Sequence, residues 1–216
     1  MEGKLTKRQR ELADSDPVMA TLVERLGPQS LETRRRRRGE PPADAYGALL
    51  RTVIGQQLST KAARTIYGRV LELFEGTEPA PRELLEIDTD ALRAAGLSGR
   101  KVEYLRDLAT HVLDGELELD RLDELDDEEV IEEIVAVRGL GRWSAEMFLI
   151  FHLGRADVFS GGDLGLRRAI QIAYELEEPP TPEEATAMAE RWSPNRSLAS
   201  IYLWESLAEP ADPFSD

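Results

Sequence analysis

The sequence predicts an all-α protein, and three observations support that fold class. Apolar residues recur at helical spacing through most of the chain, as they do between Ala63 and Phe74. No segment alternates apolar and polar residues between turn signals in the manner of a strand. The connections between periodic segments are short, which favours about nine to eleven helices packed in two lobes.

The first forty residues are charged and poor in apolar side chains. A single short helix is predicted there, about Pro17 to Leu26, with flexible flanks. From residue 44 onward, helix starts are marked by residues whose side-chain oxygens can accept hydrogen bonds from the first turn. These predicted N-caps are, in chain order, Asp44, Ser59, Asp88, Ser98, Asp126, Asp163 and Thr181.

Helix ends are marked by glycine and proline, which do not continue a helix. The predicted ends are Gly76 with Pro79 and Pro81, then Gly96, then Gly115. A helix is predicted from Arg142 to Leu153, and the segment from Ala156 to Phe159 is expected to be extended. The last predicted helix runs from Arg196 to Leu207.

Composition excludes several classes of protein. Of the 216 residues, 41% are hydrophobic, which is enough for a packed core, and no run of 18 apolar residues occurs. The polar N-terminus lacks the apolar stretch of a signal peptide, so a cytoplasmic location is expected. The absence of cysteine excludes disulfides, thiolate zinc sites and cysteine-ligated iron–sulfur clusters. The two histidines, His111 and His152, are expected to be ordinary helix-surface or core residues.

The formal net charge of −15 at first argues against nucleic acid as a partner. However, positive charge is concentrated in the run Arg34–Arg38, and the chain has only four lysines. An acidic, lysine-poor composition is similar to that of proteins from salt-loving archaea, in which a screening length of about 3 Å or less reduces global repulsion from DNA. The arginine run is either a solvated arm or a phosphate contact.

The segment Val135–Phe151 contains the most informative local pattern, in which one helix ends, a Gly-Leu-Gly turn follows and a second helix begins. Gly139 and Gly141 can form a tight turn whose amide N–H groups face an anion at the second helix's N-terminus. Leu140 would anchor the turn between the helices, and Ser144 can add a hydroxyl. By itself the pattern also fits an ordinary corner between helices.

Several motifs in order make the chain resemble the helix-hairpin-helix DNA glycosylases, in the 3-methyladenine DNA glycosylase II branch. The hairpin Val137-Arg138-Gly139-Leu140-Gly141 is followed by Asp163 at the family's spacing. The segments AYGALLRTVIGQQLSTKAA, ADVFSGGDLGLRRAI and RWSPNRSLASIYLW also fit. The resemblance implies a two-lobed fold with the motif, about residues 127–153, at the interlobe cleft. Residues 41–216 would form the glycosylase domain, and residues 1–40 an N-terminal arm that is partly flexible.

The resemblance implies that Asp163 is catalytic. As a helix N-cap it would be unremarkable, yet the helix dipole keeps such a carboxylate ionised. Cleavage of an N-glycosidic bond builds positive charge on the sugar, which a fixed carboxylate stabilises. The same group could orient or deprotonate the attacking water.

Position 143 determines the expected reaction type. Members of the superfamily that also cut the DNA strand carry a lysine two residues after the second hairpin glycine, where it forms a Schiff base. This chain has Trp143 there, so base removal without lyase activity is expected. Trp143, Met147 and Trp204 match the base-pocket positions of the family, although core packing also explains the tryptophans. An indole face would favour a cationic, alkylated base.

The remaining expectations concern DNA and ions. Gln57 aligns with the residue that fills the duplex after base flipping, with Gln56 beside it, and DNA contacts are further expected from Gly139, Gly141, Arg142 and Ser144. The main-chain carbonyls of Val135, Val137 and Leu140 match a K⁺ or Na⁺ site, and no other cofactor is expected. The partner would be damaged double-stranded DNA, bound by a monomer. The alternatives are another lesion specificity, a non-catalytic DNA-binding module or a purely structural helical protein.

Overall fold

The structure is a computed structural model that describes residues 5–32, 34, 42 and 44–208, with only the backbone described at residue 60. This part of the chain contains twelve α-helices and no strand, so the predicted all-α class is confirmed. The helices are α1 Lys7–Ser15, α2 Pro17–Leu26, α3 Ala45–Gly55, α4 Thr60–Glu72, α5 Pro81–Glu86, α6 Thr89–Ala94, α7 Gly99–Leu113, α8 Asp127–Ala136, α9 Arg142–Phe148, α10 Leu164–Ala173, α11 Pro182–Ala189 and α12 Arg196–Ala208.

Each predicted N-cap begins a helix, because its side chain accepts a hydrogen bond from the first turn. Asp126 and Thr181 each form a reciprocal capping box with a glutamate three residues later. None of the helices in the described ranges is both long and apolar enough to cross a membrane.

Two features of the predicted helix pattern were wrong. The N-terminal flank contains α1, which begins with a capping box between Thr6 and Gln9 and buries Leu12. Pro81 begins α5 instead of ending a helix, because proline fits the first helical position. The helix predicted from Arg142 to Leu153 has those bounds, and at Leu149 it changes from an α-helix into a π-helical turn, Leu149–Leu153.

The chain divides into two compact units. The first comprises Met1–Arg34 and Gly154–Asp216, and the second comprises Arg35–Leu153. In the first unit, α2 packs against α12, and the Tyr202 hydroxyl donates to the carbonyl of Gly27 at 3.1 Å. The N-terminal helices therefore belong to the core of the unit that contains the C-terminal helices. The core side chains are Leu12, Met19, Leu22, Val23, Phe159, Leu166, Ile170, Trp192, Tyr202 and Leu203. The division into an N-terminal arm, residues 1–40, and a glycosylase domain, residues 41–216, stays a prediction.

The second unit is built around α3, which packs against α4, α7 and α9. Its apolar stripe is fully buried at Leu49, Leu50, Val53 and Ile54. Burial of each such side chain contributes about 1.5–3 kcal/mol to folding. The Gly-Leu-Gly turn joins α8 to α9 in this unit, so the predicted helix-hairpin-helix lies entirely within it.

Candidate functional site

The Asp163 carboxylate lies at the N-terminus of α10 in the first unit. Its Oδ1 accepts a hydrogen bond from the backbone N–H of Leu166 at 2.7 Å, which makes it the N-cap. The side chain is half-buried. The positive end of the helix dipole stabilises a negative charge at this position. The capping role and the predicted catalytic role therefore use the same geometry.

The two glycines before Asp163 have different surroundings. A Cβ at Gly161 would lie 2.2 Å from the Thr186 hydroxyl and 2.6 Å from the Pro182 carbonyl oxygen, so this glycine is required by packing against α11. A Cβ at Gly162 would meet nothing within 4 Å, and this residue is exposed. Of the two, only Gly162 offers an open backbone.

Trp204 on α12 contacts the same carboxylate. Its indole Nε1–H donates to Asp163 Oδ1 at 3.1 Å, so that oxygen receives two N–H donors. Gly165 makes room for the contact, because a Cβ there would lie 3.0 Å from Asp163 Oδ1 and 3.5 Å from Trp204 Nε1. The sequence predicted an aromatic role for Trp204 but not this hydrogen bond. A contact between residues 41 positions apart leaves no local pattern in a sequence.

Arg34, the first residue of the arginine run, contacts Trp204 as well. Its guanidinium carbon lies 5.1 Å from the centroid of the indole ring, and its Nη1 forms an ion pair with Glu205 Oε1 at 2.5 Å. The side chain of Glu205 is largely buried. The Trp204 ring and the Arg34 guanidinium are therefore within cation–π distance of each other. The other residues of the run, 35–38, lie outside the described residues.

The hairpin in the second unit has the predicted tight turn. Gly139 has φ +87°, and a Cβ there would lie 2.2 Å from the ring of Tyr104, so both the conformation and the space require glycine. Leu140 is buried, as predicted, and its N–H donates to the carbonyl of Val137 at 3.1 Å. Gly141 is the N-cap of α9 and brings no side chain to cap the first turn.

Gln56 and Gln57 lie at the end of α3 with different environments. The Gln56 amide donates to the carbonyl of Gly139 at 2.8 Å and lies 3.5 Å from the Ser144 hydroxyl. Gln57 is exposed and has φ +57°, an uncommon conformation for a residue with a side chain. The structure thus ties Gln56 to the hairpin and exposes Gln57.

A cavity of about 350 Å³ in the second unit is lined by three of the predicted residues, Gln57, Trp143 and Met147. Trp143 is 37% exposed and Met147 is 5% exposed, so the tryptophan forms an accessible wall and the methionine a buried one. The cavity also has a polar lining that was not predicted from the sequence, including Arg51 and Tyr67. The Arg51 guanidinium lies over the Tyr67 ring, 5.4 Å from its centroid.

Tyr67 is held in the cavity wall by Glu78. The phenol donates a hydrogen bond to the Glu78 carboxylate. Burial, together with this carboxylate, raises the pKa of Tyr67 above its ordinary value, so it remains a neutral hydrogen-bonding group. Nearby, His152 stacks on Phe148 with their centroids 4.8 Å apart. The cavity therefore combines aromatic walls with a cation and fixed polar groups.

Arg142 and Ser144, both predicted to contact DNA, are engaged within the protein. Arg142 forms ion pairs with Glu128 at 2.5 Å and with Glu146 at 3.1 Å. The hydrogen bond from Arg142 holds the pKa of Glu128 below its ordinary value. Ser144 is buried at the start of α9. Their contacts with DNA, like those of Gly139, Gly141 and the glutamines, stay predictions.

The carbonyls predicted to hold a monovalent cation come from the end of α8 and the hairpin. The Val137 carbonyl accepts from the N–H of Leu140, and Val135 lies in the last turn, where helix carbonyls lack partners within the helix. Oxygen donors of this type suit K⁺ or Na⁺. In the part of the chain that the structure describes, no group of three His, Asp or Glu side chains could hold a metal ion.

Comparisons with known proteins identify relatives of the chain. Residues 50–195 match the family described as HhH-GPD superfamily base excision DNA repair protein. DNA-3-methyladenine glycosylase 1 of Schizosaccharomyces pombe is 33% identical over 204 residues, covering 94% of this chain and 87% of that protein. DNA-3-methyladenine glycosylase 2 of Escherichia coli is 28% identical, and the chain spans 57% of that protein's length.

A solved structure is also similar. The S. pombe 3-methyladenine DNA glycosylase in complex with abasic DNA has a TM-score of 0.85 and 32% identity, covering 94% of this chain and 98% of that one. The family match covers more than half of the chain and includes the hairpin and Asp163. The chain therefore belongs to the helix-hairpin-helix superfamily of base excision DNA repair proteins.

Proposed function

We propose that the protein is a DNA glycosylase that removes alkylated bases, of the 3-methyladenine type, from double-stranded DNA. The observation that carries the proposal is the Asp163 carboxylate, held by the N–H of Leu166 and the indole of Trp204. The activity named for relatives at about one-third identity over most of the chain supports the choice of substrate class.

The proposed reaction is hydrolysis of the N-glycosidic bond. The bond between C1′ and the base nitrogen breaks, and its electron pair leaves with the base. Positive charge then develops on the sugar, and the fixed Asp163 carboxylate stabilises it. Water adds to C1′ and loses a proton, for which Asp163 is the proposed acceptor. The products are the free base and an abasic site in an intact strand.

Selectivity for alkylated bases is proposed to arise in the cavity of the second unit. A purine alkylated on a ring nitrogen carries positive charge, and stacking on an indole stabilises such a cation by about 0.5–2 kcal/mol. Trp143 and Met147 supply an accessible aromatic wall and a polarisable wall there. The Arg51 guanidinium lies over the Tyr67 ring, where the cation and the ring face attract each other. The role of Trp204 as a base contact stays a prediction.

We propose that the enzyme has no lyase activity, because Trp143 occupies the position where strand-cutting relatives carry the Schiff-base lysine. The one described lysine whose pKa is lowered by burial is Lys101. Its ammonium donates to the carbonyls of Ile54 and Gln56 at 2.7 and 2.8 Å. Because these contacts engage the amine within the protein, we do not propose Lys101 as a Schiff-base lysine.

We also propose that the protein is a monomer and that it acts in the cytoplasm, at the nucleoid, in concentrated salt. A separate proposal is that the hairpin can bind K⁺ or Na⁺. The net charge of −15 with few lysines supports the salt proposal, because strong screening weakens repulsion from DNA. The carbonyl oxygens of Val135, Val137 and Leu140 support the cation proposal. A bound cation would offset part of the phosphate charge at the hairpin.

The test is an excision assay on duplexes with one lesion each, 3-methyladenine, 7-methylguanine, hypoxanthine or uracil, from 0.1 to 2 M KCl. Abasic sites are revealed by alkaline cleavage, and borohydride is added in parallel to trap a Schiff base. We expect release of the methylated bases and no trapped adduct. Activity confined to uracil would contradict the proposed substrate class. Binding without release from any duplex would favour the non-catalytic DNA-binding module, and a trapped adduct would contradict the absence of lyase chemistry.

A further inference from the structure

One face of α7 contacts both turns that the sequence predicts to contact DNA, the turn after α3 and the hairpin. Lys101, Tyr104 and Asp107 are spaced by three residues, which puts them on the same side of the helix. Lys101 contacts the turn after α3, which carries Gln57. Tyr104 and Asp107 contact the hairpin between α8 and α9. No functional role was predicted from the sequence for these three side chains.

Lys101 satisfies the open end of α3. Its Nζ donates to the carbonyl of Ile54 at 2.7 Å and to that of Gln56 at 2.8 Å. Carbonyls in the last turn of a helix lack partners within the helix, and the helix dipole favours a cation there. Burial lowers the pKa of Lys101 from its ordinary value.

The turn held by Lys101 is tight and strained. The N–H of Leu58 donates to the Gly55 carbonyl at 3.2 Å, which closes the turn around Gln56 and Gln57. Gln57 has φ +57°, a conformation that costs a residue with a Cβ on the order of 1 kcal/mol and persists only when neighbouring contacts impose it. The two hydrogen bonds from Lys101 are such contacts, because they hold the Ile54–Gly55 and Gln56–Gln57 peptide units, and the second of these leads directly into Gln57.

The hairpin is held from the same helix face. Asp107 Oδ2 accepts a hydrogen bond from the N–H of Arg138 at 2.8 Å, and the Tyr104 ring fills the space that a side chain at position 139 would need. The Gln56 amide completes the connection by donating to the Gly139 carbonyl at 2.8 Å. The two turns are therefore linked to each other and to α7.

We propose that Lys101 is a positioning residue that holds Gln57 in the conformation needed to enter the duplex when the damaged base leaves the stack. The inference rests on the proposed function, since it concerns base flipping by the same enzyme. Flipping from a paired duplex requires a residue that occupies the space left by the base. A lesion that is already unpaired and unstacked needs no such filler. Loss of Lys101 therefore slows excision from paired DNA selectively.

The test compares two substrates with the same 7-methylguanine, one paired with cytosine in a duplex and the other in a single-nucleotide bulge. For Lys101→Met we expect single-turnover excision to fall about 10-fold or more on the paired substrate and less than about 3-fold on the bulged one. Lys101→Arg, which keeps a cationic donor, should restore most of the paired rate. Lys7→Met, which removes an 85% exposed lysine in the first unit, is the matched control and should change neither rate.

Two further measurements distinguish positioning from general destabilisation. A loss of folded protein lowers the rates on both substrates equally, so their ratio reports positioning alone. In a double-mutant comparison, Lys101→Met should add little to the defect of Gln57→Ala, because both changes remove the same function. A 2-aminopurine placed beside the lesion should show reduced fluorescence enhancement with either variant.

Equal losses on the paired and bulged substrates, or additive effects of the two substitutions, would overturn the role of Lys101. These outcomes differ from a failure of the proposed function, in which the unaltered protein releases no base from either substrate. The 2-aminopurine signal gives a reading that does not depend on chemistry. If Lys101→Met gave the same 2-aminopurine fluorescence enhancement as the unaltered protein, that result would also contradict the inference.

Discussion

At the residue scale, the Asp163 carboxylate is defined by the donors around it. Oδ1 receives the N–H of Leu166 and the indole N–H of Trp204, which come from α10 and α12 of the same unit. Two donors from different helices fix both the position and the rotation of the carboxylate. A fixed charge stabilises a developing cation without reorganising during the reaction, and this is the main electrostatic advantage of a folded site.

Replacing Trp204 with phenylalanine separates the hydrogen bond from the aromatic surface. Trp204→Phe keeps a ring but removes the N–H donor, so the carboxylate loses an orienting contact. We expect the single-turnover rate constant on 7-methylguanine DNA to fall about 10-fold, with a change of less than about 3-fold in DNA affinity. Rapid-quench excision and fluorescence anisotropy measure the two quantities.

The control for this experiment is Trp192→Phe, which removes an indole from the core of the same unit. That change should lower stability but leave the excision rate per folded molecule unchanged. A rate constant for Trp204→Phe equal to that of the unaltered protein would show that the indole hydrogen bond contributes nothing to the reaction.

At the scale of elements, the two hairpin glycines have different roles. Gly139 is required by the fold, because it combines φ +87° with the Tyr104 ring at the position of its missing Cβ. Gly141 has φ −111° and open space around it, so the fold does not require glycine there. A glycine at position 141 instead leaves room for an external group to approach the backbone, and we propose that this group is a DNA phosphate.

This difference predicts that alanine at position 139 mainly lowers stability, whereas alanine at position 141 mainly weakens DNA binding. Gly139→Ala should lower the free energy of unfolding by about 2–4 kcal/mol, because it adds backbone strain and an overlap with a packed ring. Gly141→Ala should change it by less than about 1 kcal/mol yet weaken DNA binding about 10-fold, because a methyl group obstructs the phosphate. Urea denaturation and anisotropy titration provide the measurements. Normal DNA affinity in Gly141→Ala would remove the hairpin turn from the proposed DNA contact.

Local sequence signals predicted most helix starts, but they missed one helix and one change of helix type. A cap such as Asp44 or Ser98 is a short-range hydrogen bond between neighbours in sequence, so its pattern is visible in the sequence itself. The helix α1 was missed because its apolar content is low and its capping box uses glutamine. The π-helical turn after Phe148 was missed because its residues continue the apolar pattern of the preceding helix.

At the scale of the whole molecule, the order of the chain and the order of the cores differ. The first unit joins the N-terminal helices to the C-terminal ones, and the second unit is formed by the residues between them. The sequence predicted two lobes but treated residues 1–40 as an arm. The N-terminal helices contribute four large buried side chains to this core: Leu12, Met19, Leu22 and Val23. Four apolar residues do not reveal from the sequence which helices they pack against, and those helices lie more than 130 residues away.

The candidate site could likewise be predicted only in part. Asp163, Gly139 and the cavity residues Gln57, Trp143 and Met147 were named from motifs, and the structure gives each a specific environment. Two supporting contacts were not predicted: that of Lys101 with the Gln56 carbonyl and that of Trp204 with Asp163. Each joins segments that are distant in sequence. Tertiary hydrogen bonds of this kind depend on packing that a single sequence does not display.

The most direct test of the central claim is single-turnover release of 7-methylguanine from duplex DNA by Asp163→Asn. Asparagine caps helices as well as aspartate does, so the substitution removes the charge and leaves α10 intact. Asp88→Asn, at the exposed N-cap of α6, is the matched control and should behave like the unaltered protein. We predict that Asp163→Asn binds the duplex normally and releases base at least about 100-fold more slowly. Release by Asp163→Asn within about 3-fold of the control rate would contradict the assignment of Asp163 as the catalytic carboxylate.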